Sequence, residues 1–380
     1  MEQMGKETIR RETLSRALPQ AAAEELRERF DWGRGGFRGV QEEREEELLL
    51  FLLEYARRAG EGWACDLAEA ALDRRGRTGG PLLAWACLET CAQTGRSSGR
   101  EAACDILDGA LKELRLPGGA FGRRGDDTVS PAWNARMIAA LAKASRVLGE
   151  DIYLRAAQEA RLFLKTRLTQ SNGRLWRRWR DRTPMDEGRL EDYGFCCWAL
   201  TELYEADFSV SCLREAEGLA DRMADIFRDP DGGFFDIDGT GSGAAGLALA
   251  KLARLTGVGR YRRMAREQLA WLAGPGRGAL DGMALLGMVE ELWPRRELVC
   301  ACAGAVPSWL AAAGESYRLA ALAKTPGSSR ALENAAPFVR EFPVPEAGER
   351  LYLCRDGVCQ AQAGDLAQLG RCLSREDVPV

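Results

Sequence analysis

Histidine is absent from this 380-residue sequence. The absence removes the commonest general acid–base side chain, the commonest zinc ligand besides cysteine and every serine–histidine or cysteine–histidine nucleophile pair. Any catalysis by this chain would therefore depend on Asp, Glu, Tyr, Lys, Cys or Arg side chains.

Long apolar runs are also lacking. No segment approaches the roughly 20 residues that cross a bilayer, and the N-terminal stretch MEQMGKETIRRETLSRALPQ is a charged helical pattern and not a signal peptide. Lysine is scarce, with six against 47 arginines, which we attribute to a GC-rich genome. The net charge of −4 gives no overall basic field for nucleic acid. We expect a cytoplasmic protein that contacts neither a membrane nor nucleic acid.

The 12 cysteines include no CxxC pair. Most lie on apolar helical faces, where a free cysteine behaves as a small buried hydrophobe, and a disulfide framework is not expected in a chain of this length without a secretion signal. Cys300 and Cys302 are expected to be free thiols, and Cys354 with Cys359 is the better-placed pair for an occasional disulfide. We expect no metal and no cofactor.

Apolar residues recur at helical spacing along almost the whole chain. In WNARMIAALAKASRVLG they form one stripe that runs from Trp133 to Leu148. Similar runs cover residues 7–29, 41–59, 63–75, 81–94, 99–115, 151–168, 189–206, 211–227, 242–256, 259–273 and 280–292. No alternating run is long enough to seed an independent sheet. The sequence therefore predicts an all-α protein.

One kind of connection recurs between these helices: RGGFRG (34–39), PGGAFGRRGDD (117–127), NGRLWRRWRD (172–181) and DPDGGFFDIDG (229–239). The last lacks the later ligands of a calcium loop. Gly119, Gly173 and Gly233 are 54 and 60 residues apart, which fits two helices and two connections. This period predicts a closed (α/α)6 toroid of helix hairpins over residues 1–300, with the connections gathered at one end around a cleft.

The last 80 residues contain several prolines that interrupt the helical pattern. LYLC and VCQA read as a short hairpin around an Arg-Asp-Gly turn, and residues 363–374 as a closing helix. We expect residues 301–380 to form a small irregular C-terminal appendage.

Several blocks carry a family resemblance. WNARMIAALAKASRVLGEDIYLRAAQEARLFL (133–164), LEDYGFCCWALTELYEA (190–206) and DGGFFDIDG (231–239), with Cys354-x4-Cys359-Gln, resemble the family of spermatogenesis-associated protein 20 and its bacterial thioredoxin-domain-containing relatives. The C-terminal part of that family is similar to six-hairpin glycosidase and N-acylglucosamine 2-epimerase toroids. The resemblance implies a toroid with a sugar-like ligand in its central cleft. A thioredoxin domain and the family's histidine-bearing stretch have no counterpart here, so a thioredoxin-like partner would be a separate protein, and histidine-dependent epimerase chemistry is not transferred.

Acids that begin helices or occupy the connections are the candidate catalytic residues. Asp192 opens a helix, where a carboxylate either caps free N–H groups or faces the cleft as general acid or base. Asp127 (with Asp126) and Asp236 (with Asp238) lie in equivalent connections, where they could divide acid and base roles or serve as turn residues. The acidic run EEREEE (42–47) is interpreted as surface that matches the helix dipole.

Aromatic and polar neighbours of these acids are the candidate ligand contacts. Trp133 and Asn134 could present a ring that stacks on a sugar beside an amide that hydrogen-bonds to it. Alternatively, Trp133 is buried in the core and Asn134 caps the helix. Tyr193 directly follows Asp192. Phe234 lies in the glycine-rich connection.

Trp176 and Arg178, with Arg180, share one face of an extended segment, and Leu175, Arg177 and Trp179 share the other. That segment is either a solvated hairpin or a rim that contacts an anion or sugar.

Two functions remain open. The first is binding of a carbohydrate or similar polar molecule in the central cleft, with or without carboxylate-based hydrolase or isomerase chemistry. The second is a non-catalytic scaffold or protein-interaction module. A buried carboxylate with a raised pKa in the cleft would favour the enzyme, and a cleft filled by apolar side chains would favour the scaffold.

Overall fold

A computed structural model describes residues 14–76, 79–230, 232–236, 240–274, 281–293 and 295–376. Twelve helices in this part of the chain form six pairs around a closed ring, as the sequence predicts. They are α1 (Ala17–Arg29), α2 (Glu42–Ala59), α3 (Gly62–Arg75), α4 (Pro81–Thr94), α5 (Ser97–Glu113), α6 (Pro131–Leu148), α7 (Asp151–Arg167), α8 (Leu190–Asp207), α9 (Val210–Ile226), α10 (Ser242–Thr256), α11 (Gly259–Leu272) and α12 (Gly282–Leu292).

The even-numbered helices α2 to α12 form the inner wall, each packed on the next, and α12 packs back on α2. The odd-numbered helices pack outside them. This division follows from the apolar pattern, since a helix that is apolar all round must be buried on every side. All 15 residues of α10 are buried, whereas α11 buries only one stripe, formed by Tyr261, Ala265, Gln268, Leu269 and Leu272.

The two ends of the ring differ in their connections. At the end where the inner helices finish, five connections have only two residues each: 60–61, 95–96, 149–150, 208–209 and 257–258. Glycine in the left-handed conformation ends several of these helices, as at Gly60 and Gly149. All the long connections lie at the opposite end, where the inner helices begin.

The four connections singled out in the sequence share one anchoring contact. In each, a buried apolar residue donates its backbone N–H to a polar side chain: Phe37 to Glu45, Phe121 to Asn134, Leu175 to Tyr193 and Phe234 to Gln268. Two of the connections also contain short hairpins, β1 (Phe30–Asp31) with β2 (Gly36–Phe37), and β3 (Trp176–Arg180) with β4 (Thr183–Glu187). The connections are therefore pinned to the ring at one end of the molecule.

The C-terminal part contains more regular structure than the sequence indicates. β5 (Glu297–Cys302), β6 (Ala320–Lys324), β7 (Glu349–Arg355) and β8 (Val358–Ala363) form one sheet in the order β6-β5-β7-β8, with β5 and β6 parallel. The β7–β8 hairpin lies at LYLC and VCQA. Every residue of β5 and β6 is buried, so these strands show no alternation by which the sequence could reveal them.

Helices complete this part of the chain: α13 (Leu310–Ser316), α14 (Ser329–Ala335), a 3-10 segment (Pro337–Glu341) and α15 (Leu366–Glu376). α13 packs on α6 and α8. The C-terminal part thus closes the end of the ring where the inner helices finish, and leaves the end with the long connections uncovered by it.

The thiols of all 12 cysteines are free, and Cys354 lies opposite Cys359 across β7 and β8. Among the described residues, no group of three or more Cys, Asp or Glu side chains is arranged to hold a metal ion. Within the same residues, no helix combines the length and apolar character needed to cross a membrane.

Candidate functional site

Charged side chains from several inner helices meet at the end of the ring where these helices begin. We call the group formed by Glu47, Arg136, Arg177, Glu191 and Asp281 the mouth. One Nη of Arg136 lies 3.5 Å from a carboxylate oxygen of Glu47 and 3.1 Å from one of Glu191. The guanidinium of Arg177 lies 3.3 Å from the other oxygen of Glu191. Two carboxyl groups from α2 and α8 are thus bridged by one arginine from α6.

Close approach of the inner helices brings these groups together. A Cβ at Gly282 would lie 2.5 Å from the backbone carbon of Glu47, and a Cβ at Gly243 would lie 2.1 Å from a carboxylate oxygen of Asp281. Glycine at these two positions therefore lets α12 pack against α2 and α10 where the ring closes. Asp281 caps α12 by accepting a hydrogen bond from the Ala284 N–H at 2.9 Å.

Glu47 is the most perturbed acid of the mouth. Its side chain is only 15% exposed. Burial raises the pKa of Glu47 to about 8; Arg136 opposes this rise, and the negative charges of Asp281 and Glu191 add to it. Glu47 therefore keeps its proton at neutral pH, which is the protonation state of a general acid or a neutral hydrogen-bond donor.

The Arg136 side chain has an unused hydrogen-bond donor. Its guanidinium lies over the ring of Phe195, 3.8 Å from the centroid. Its buried Nε–H has no hydrogen-bond partner within the described residues. A buried donor without a partner is costly, and a polar ligand or water at the mouth would satisfy it.

The acidic run EEREEE was interpreted from the sequence as surface, and for its last residues this is wrong. Glu45 is buried and pairs with Arg75 at 2.5 Å, Glu46 accepts a hydrogen bond from the Gly80 N–H at 2.7 Å, and Glu47 belongs to the mouth. The cause is the packing of α12 and α4 against the start of α2, which local sequence does not encode.

Asp192 lies fully buried beside the mouth and acts as a cap. Its oxygens accept hydrogen bonds from the N–H groups of Arg189 at 2.9 Å and Ala132 at 3.3 Å, and contact Arg177 at 2.9 Å. Burial raises the pKa of Asp192 to about 6, opposed by Arg177. The carboxylate thus joins the starts of α6 and α8 and holds Arg177 beside Glu191.

Asn134, Tyr193 and Phe234 are buried and belong to the anchors of the connections. The Asn134 amide accepts from the Phe121 N–H at 2.7 Å and donates to its carbonyl at 2.9 Å. The Tyr193 hydroxyl accepts from the Leu175 N–H at 2.8 Å. The Phe234 carbonyl accepts from Ser242 at 3.2 Å. Each contact holds a connection against the ring.

Trp133 and the β3 residues lie at the same end of the molecule but face different neighbours. Trp133 donates to the Gly122 carbonyl at 3.2 Å. Arg178 is 52% exposed and pairs with Asp186, while Trp176 is half-buried. The side chain of β3 that reaches the mouth is Arg177.

The two connection acids also differ. Asp127 is exposed in the turn before α6. Asp236 is 10% exposed and accepts a hydrogen bond from the Leu190 N–H at 2.9 Å, at the start of α8. Asp238 lies outside the described residues.

Below the mouth, the axis of the ring is filled. An apolar layer formed by Leu50, Trp85, Trp198, Leu247 and Leu286 comes first. Beneath it lies a network of ion pairs, which we call the ion network: Glu54, Arg57, Arg58, Glu89, Lys143, Arg146, Glu202, Glu205, Lys251, Glu290, Arg295 and Glu315.

The ion network leaves little free space. Its cavity measures about 70 Å³, room for roughly two waters at about 30 Å³ each. Arg146 lies 2.7 Å from Glu202 and 3.0 Å from Glu315 of α13. Because Glu315 belongs to the C-terminal part, that part helps the ion network to close the axis of the ring. The remaining space is too small for a sugar to pass along the axis.

Sequence reasoning missed Glu47, Arg136, Glu191 and the ion network. A signal was present in the spacing of Glu47, Leu50 and Glu54 on α2, since residues three and seven apart lie on one helical face. A charged residue inside a helix that is otherwise apolar, such as Lys251 in SGAAGLALAKLARLT, carries the same signal.

Comparisons with known proteins agree with this architecture. No protein-family model matches the sequence. Human spermatogenesis-associated protein 20 is 32% identical over 117 residues, which cover 28% of this chain and 15% of that protein. The mouse protein is 34% identical over 117 residues, which again cover 28% of this chain and 15% of that protein. The match therefore spans a small part of these relatives.

Similar solved structures cover the ring. The Lin0763 protein of Listeria innocua has a TM-score of 0.63 at 16% identity, covering 72% of this chain and 96% of that one. The second is an inactive variant of the α-1,6-mannanase of Salegentibacter sp. HEL1_6, with two adjacent aspartates replaced and α-1,6-mannotetrose bound. It has a TM-score of 0.62 at 14% identity, covering 72% of this chain and 98% of that one. A family 105 glycoside hydrolase of C. acetobutylicum has a TM-score of 0.60 at 11% identity, covering 72% of this chain and 98% of that one. The chain is a distant homologue of spermatogenesis-associated protein 20 over part of its length, and its ring has the six-hairpin glycosidase-like (α/α)6 fold.

Proposed function

We propose that the protein binds a carbohydrate or similarly polar small molecule at the mouth, with Glu47 and Glu191 as an acid–base pair for hydrolase or isomerase chemistry. The observation that carries this proposal is the pairing of two carboxyl groups on Arg136 when one of them, Glu47, keeps its proton up to about pH 8. A carboxyl group whose pKa is raised beside a second carboxyl group is a usual arrangement for dividing acid and base roles.

The geometry suits glycoside chemistry. The nearest oxygens of Glu47 and Glu191 lie 3.5 Å and 3.1 Å from one Arg136 nitrogen, so they are at most about 6.6 Å apart. Glycosidases place their two carboxyl groups about 5 to 10 Å apart. Glu47 would donate its proton to a leaving-group oxygen, and Glu191 would activate water or stabilise positive charge on the sugar.

The remaining residues of the site would position these two. Asp192 has its oxygens occupied by two backbone N–H groups and Arg177, so we assign it a positioning role. Arg177, and not Arg178, is the proposed ligand contact from β3, because Arg178 pairs with Asp186 in solvent.

A thermal-shift screen against mono-, di- and oligosaccharides, sugar phosphates and nucleotides tests this proposal. A ligand present at 100 times its dissociation constant stabilises by about 2.7 kcal/mol. The hit should be weakened by Glu191→Gln. It should be retained by Asp127→Asn, which changes an exposed acid at the same end of the ring, and by Glu47→Gln, whose neutral amide still donates a hydrogen bond. Turnover of the hit, followed as released reducing ends, should be lost in both glutamine variants.

A scaffold function is the second candidate. The observation that favours it is the filled axis, where an apolar layer and the ion network leave a cavity of about 70 Å³. If the ligand panel gives no shift while all variants fold as the wild type does, the carbohydrate proposal is wrong and the search turns to protein partners.

A further inference from the structure

A second cavity lies between two neighbouring hairpins, away from the ring axis. It measures about 350 Å³, opens to solvent, and is lined by α6 and α8 of the inner wall, α7 and α9 of the outer layer and the connection at 169–175. Its interior is apolar and is formed by Ala135, Ile138, Leu164, Ala199, Leu200 and Leu219, all buried. Spaces of this volume are in the range of small-molecule sites, whereas close-packed interiors leave few voids larger than a water molecule.

The lining is a poor environment for water. The volume would hold roughly ten waters at about 30 Å³ each. Buried waters, however, typically make about three hydrogen bonds each, and aliphatic side chains offer none. An aliphatic chain would fill the same space and bury apolar surface on both sides.

Charge is confined to the rim. The lining residues that reach solvent include Lys165, whose side chain is 54% exposed, Arg222, 44% exposed, and Gly218. Arg161 contacts Glu215 at 2.7 Å and 3.0 Å, and Lys165 contacts the same carboxylate at 2.6 Å. The lining as a whole contains three cations, Arg161, Lys165 and Arg222, and two acids, Glu215 and Asp221, so it holds one positive charge in excess.

We propose that this cavity binds a medium-chain fatty acid, with its aliphatic chain between α6, α7, α8 and α9 and its carboxylate beside Arg161 and Lys165. An apolar interior with a positively charged rim matches a molecule that has one aliphatic end and one anionic end. This ligand and its site are separate from the mouth, so the inference does not depend on the carbohydrate proposal.

The chain offers a matched pair of positions for the test. Gly218, an exposed residue in the middle of α9, lies at the rim of the cavity, and a Cβ there would meet no atom within 4 Å. Gly109, in the middle of α5, has the same open surroundings but does not line the cavity. A bulky residue at 218 should obstruct the opening of the cavity at its rim, and the same residue at 109 provides the same helical context without doing so.

Titration calorimetry with octanoate, decanoate and dodecanoate below their micelle concentrations, and with 1-decanol, measures binding. Decanoate should bind wild type and Gly109→Phe equally, and Gly218→Phe at least tenfold more weakly. Lys165→Ala, an exposed substitution that leaves the fold intact, should weaken decanoate several-fold and leave 1-decanol unchanged. Circular dichroism and thermal melting confirm that each variant folds.

Three results would overturn the proposal. The first is no binding of any chain length, and the second is equal loss or equal retention of binding in the two phenylalanine variants. The third is equal affinity for decanoate and 1-decanol, which would show that the rim does not recognise the carboxylate. If Gly218→Phe fails to fold, the Lys165→Ala comparison decides the question.

Discussion

Replacing Glu47 by glutamine should make the protein more stable at alkaline pH. In the folded chain, burial raises the pKa of Glu47 from its ordinary value of 4.5 to about 8. A raised pKa means that the folded state binds the proton more tightly than the unfolded state, so stability is full below about pH 4.5 and falls as pH rises to about 8. At about 1.4 kcal/mol per pH unit, the full loss is about 5 kcal/mol. Glutamine has the same shape and stays neutral, so the variant avoids this loss.

Urea unfolding at intervals from pH 5 to pH 9 measures the effect. Glu47→Gln and wild type should have similar unfolding free energies at pH 5, and the variant should be more stable by about 3 kcal/mol at pH 7 and about 5 kcal/mol at pH 9. Other acids titrate alike in both proteins, and Asp127→Asn serves as a control that should follow the wild type. A difference between variant and wild type that stays constant from pH 5 to pH 9 would refute a protonated Glu47.

Three further substitutions test the structural roles assigned above. Asp192→Ala should lower the free energy of unfolding by about 2 to 4 kcal/mol in the same urea titration, since it leaves two backbone N–H groups unpaired. As its control, Asp127→Ala, at an exposed position, should stay within about 0.5 kcal/mol of wild type. Asn134→Ala should cost about 2 to 4 kcal/mol because both backbone groups of Phe121 lose their partner, and proteolysis should then cut the connection at 114–130 first. Glu315→Ala should cost about 3 to 5 kcal/mol, because it removes one of the two acids that pair with each of the buried cations Lys143 and Arg146. Unchanged thermal unfolding would contradict a structural role of Glu315 in the ion network.

The ring was predictable because its signals are local. Each helix carries an apolar stripe or an apolar core, as in WNARMIAALAKASRVLG, and the connections repeat Gly-Gly or Asn-Gly before a buried apolar residue. The spacing of Gly119, Gly173 and Gly233 then fixes how many helices lie between connections. Such features survive in a single sequence since helical period and turn chemistry act over a few residues.

The site was not predictable in the same way. Glu47 follows four other acids on one helix and reads as surface, and only closure of the ring through Gly282 makes it a buried acid. Asp192 was correctly noticed as a helix-start acid, yet its oxygens are taken by backbone groups from two helices. Contacts between residues 47, 136 and 191 depend on tertiary packing, and no local pattern encodes them.

The C-terminal sheet was missed for a related reason. ELVCAC and AALAK are short, wholly buried strands, and short apolar runs do not distinguish strand from helix by period. The β7 and β8 segments, by contrast, flank a turn with Asp356 and Gly357 at positive φ, a signal that the sequence shows directly.

The pH dependence of sugar binding tests the central claim most directly. Calorimetry with the strongest saccharide ligand from pH 5 to pH 9.5 should show constant affinity at low pH and a decline above about pH 8, approaching tenfold per pH unit, because Glu47 then loses the proton that it donates to the ligand. Glu47→Gln, whose neutral amide still donates a hydrogen bond, should bind about as tightly as the wild type at low pH and without this decline. An affinity that is unchanged through pH 9.5, or that declines equally in Glu47→Gln, would contradict a ligand held by protonated Glu47 at the mouth.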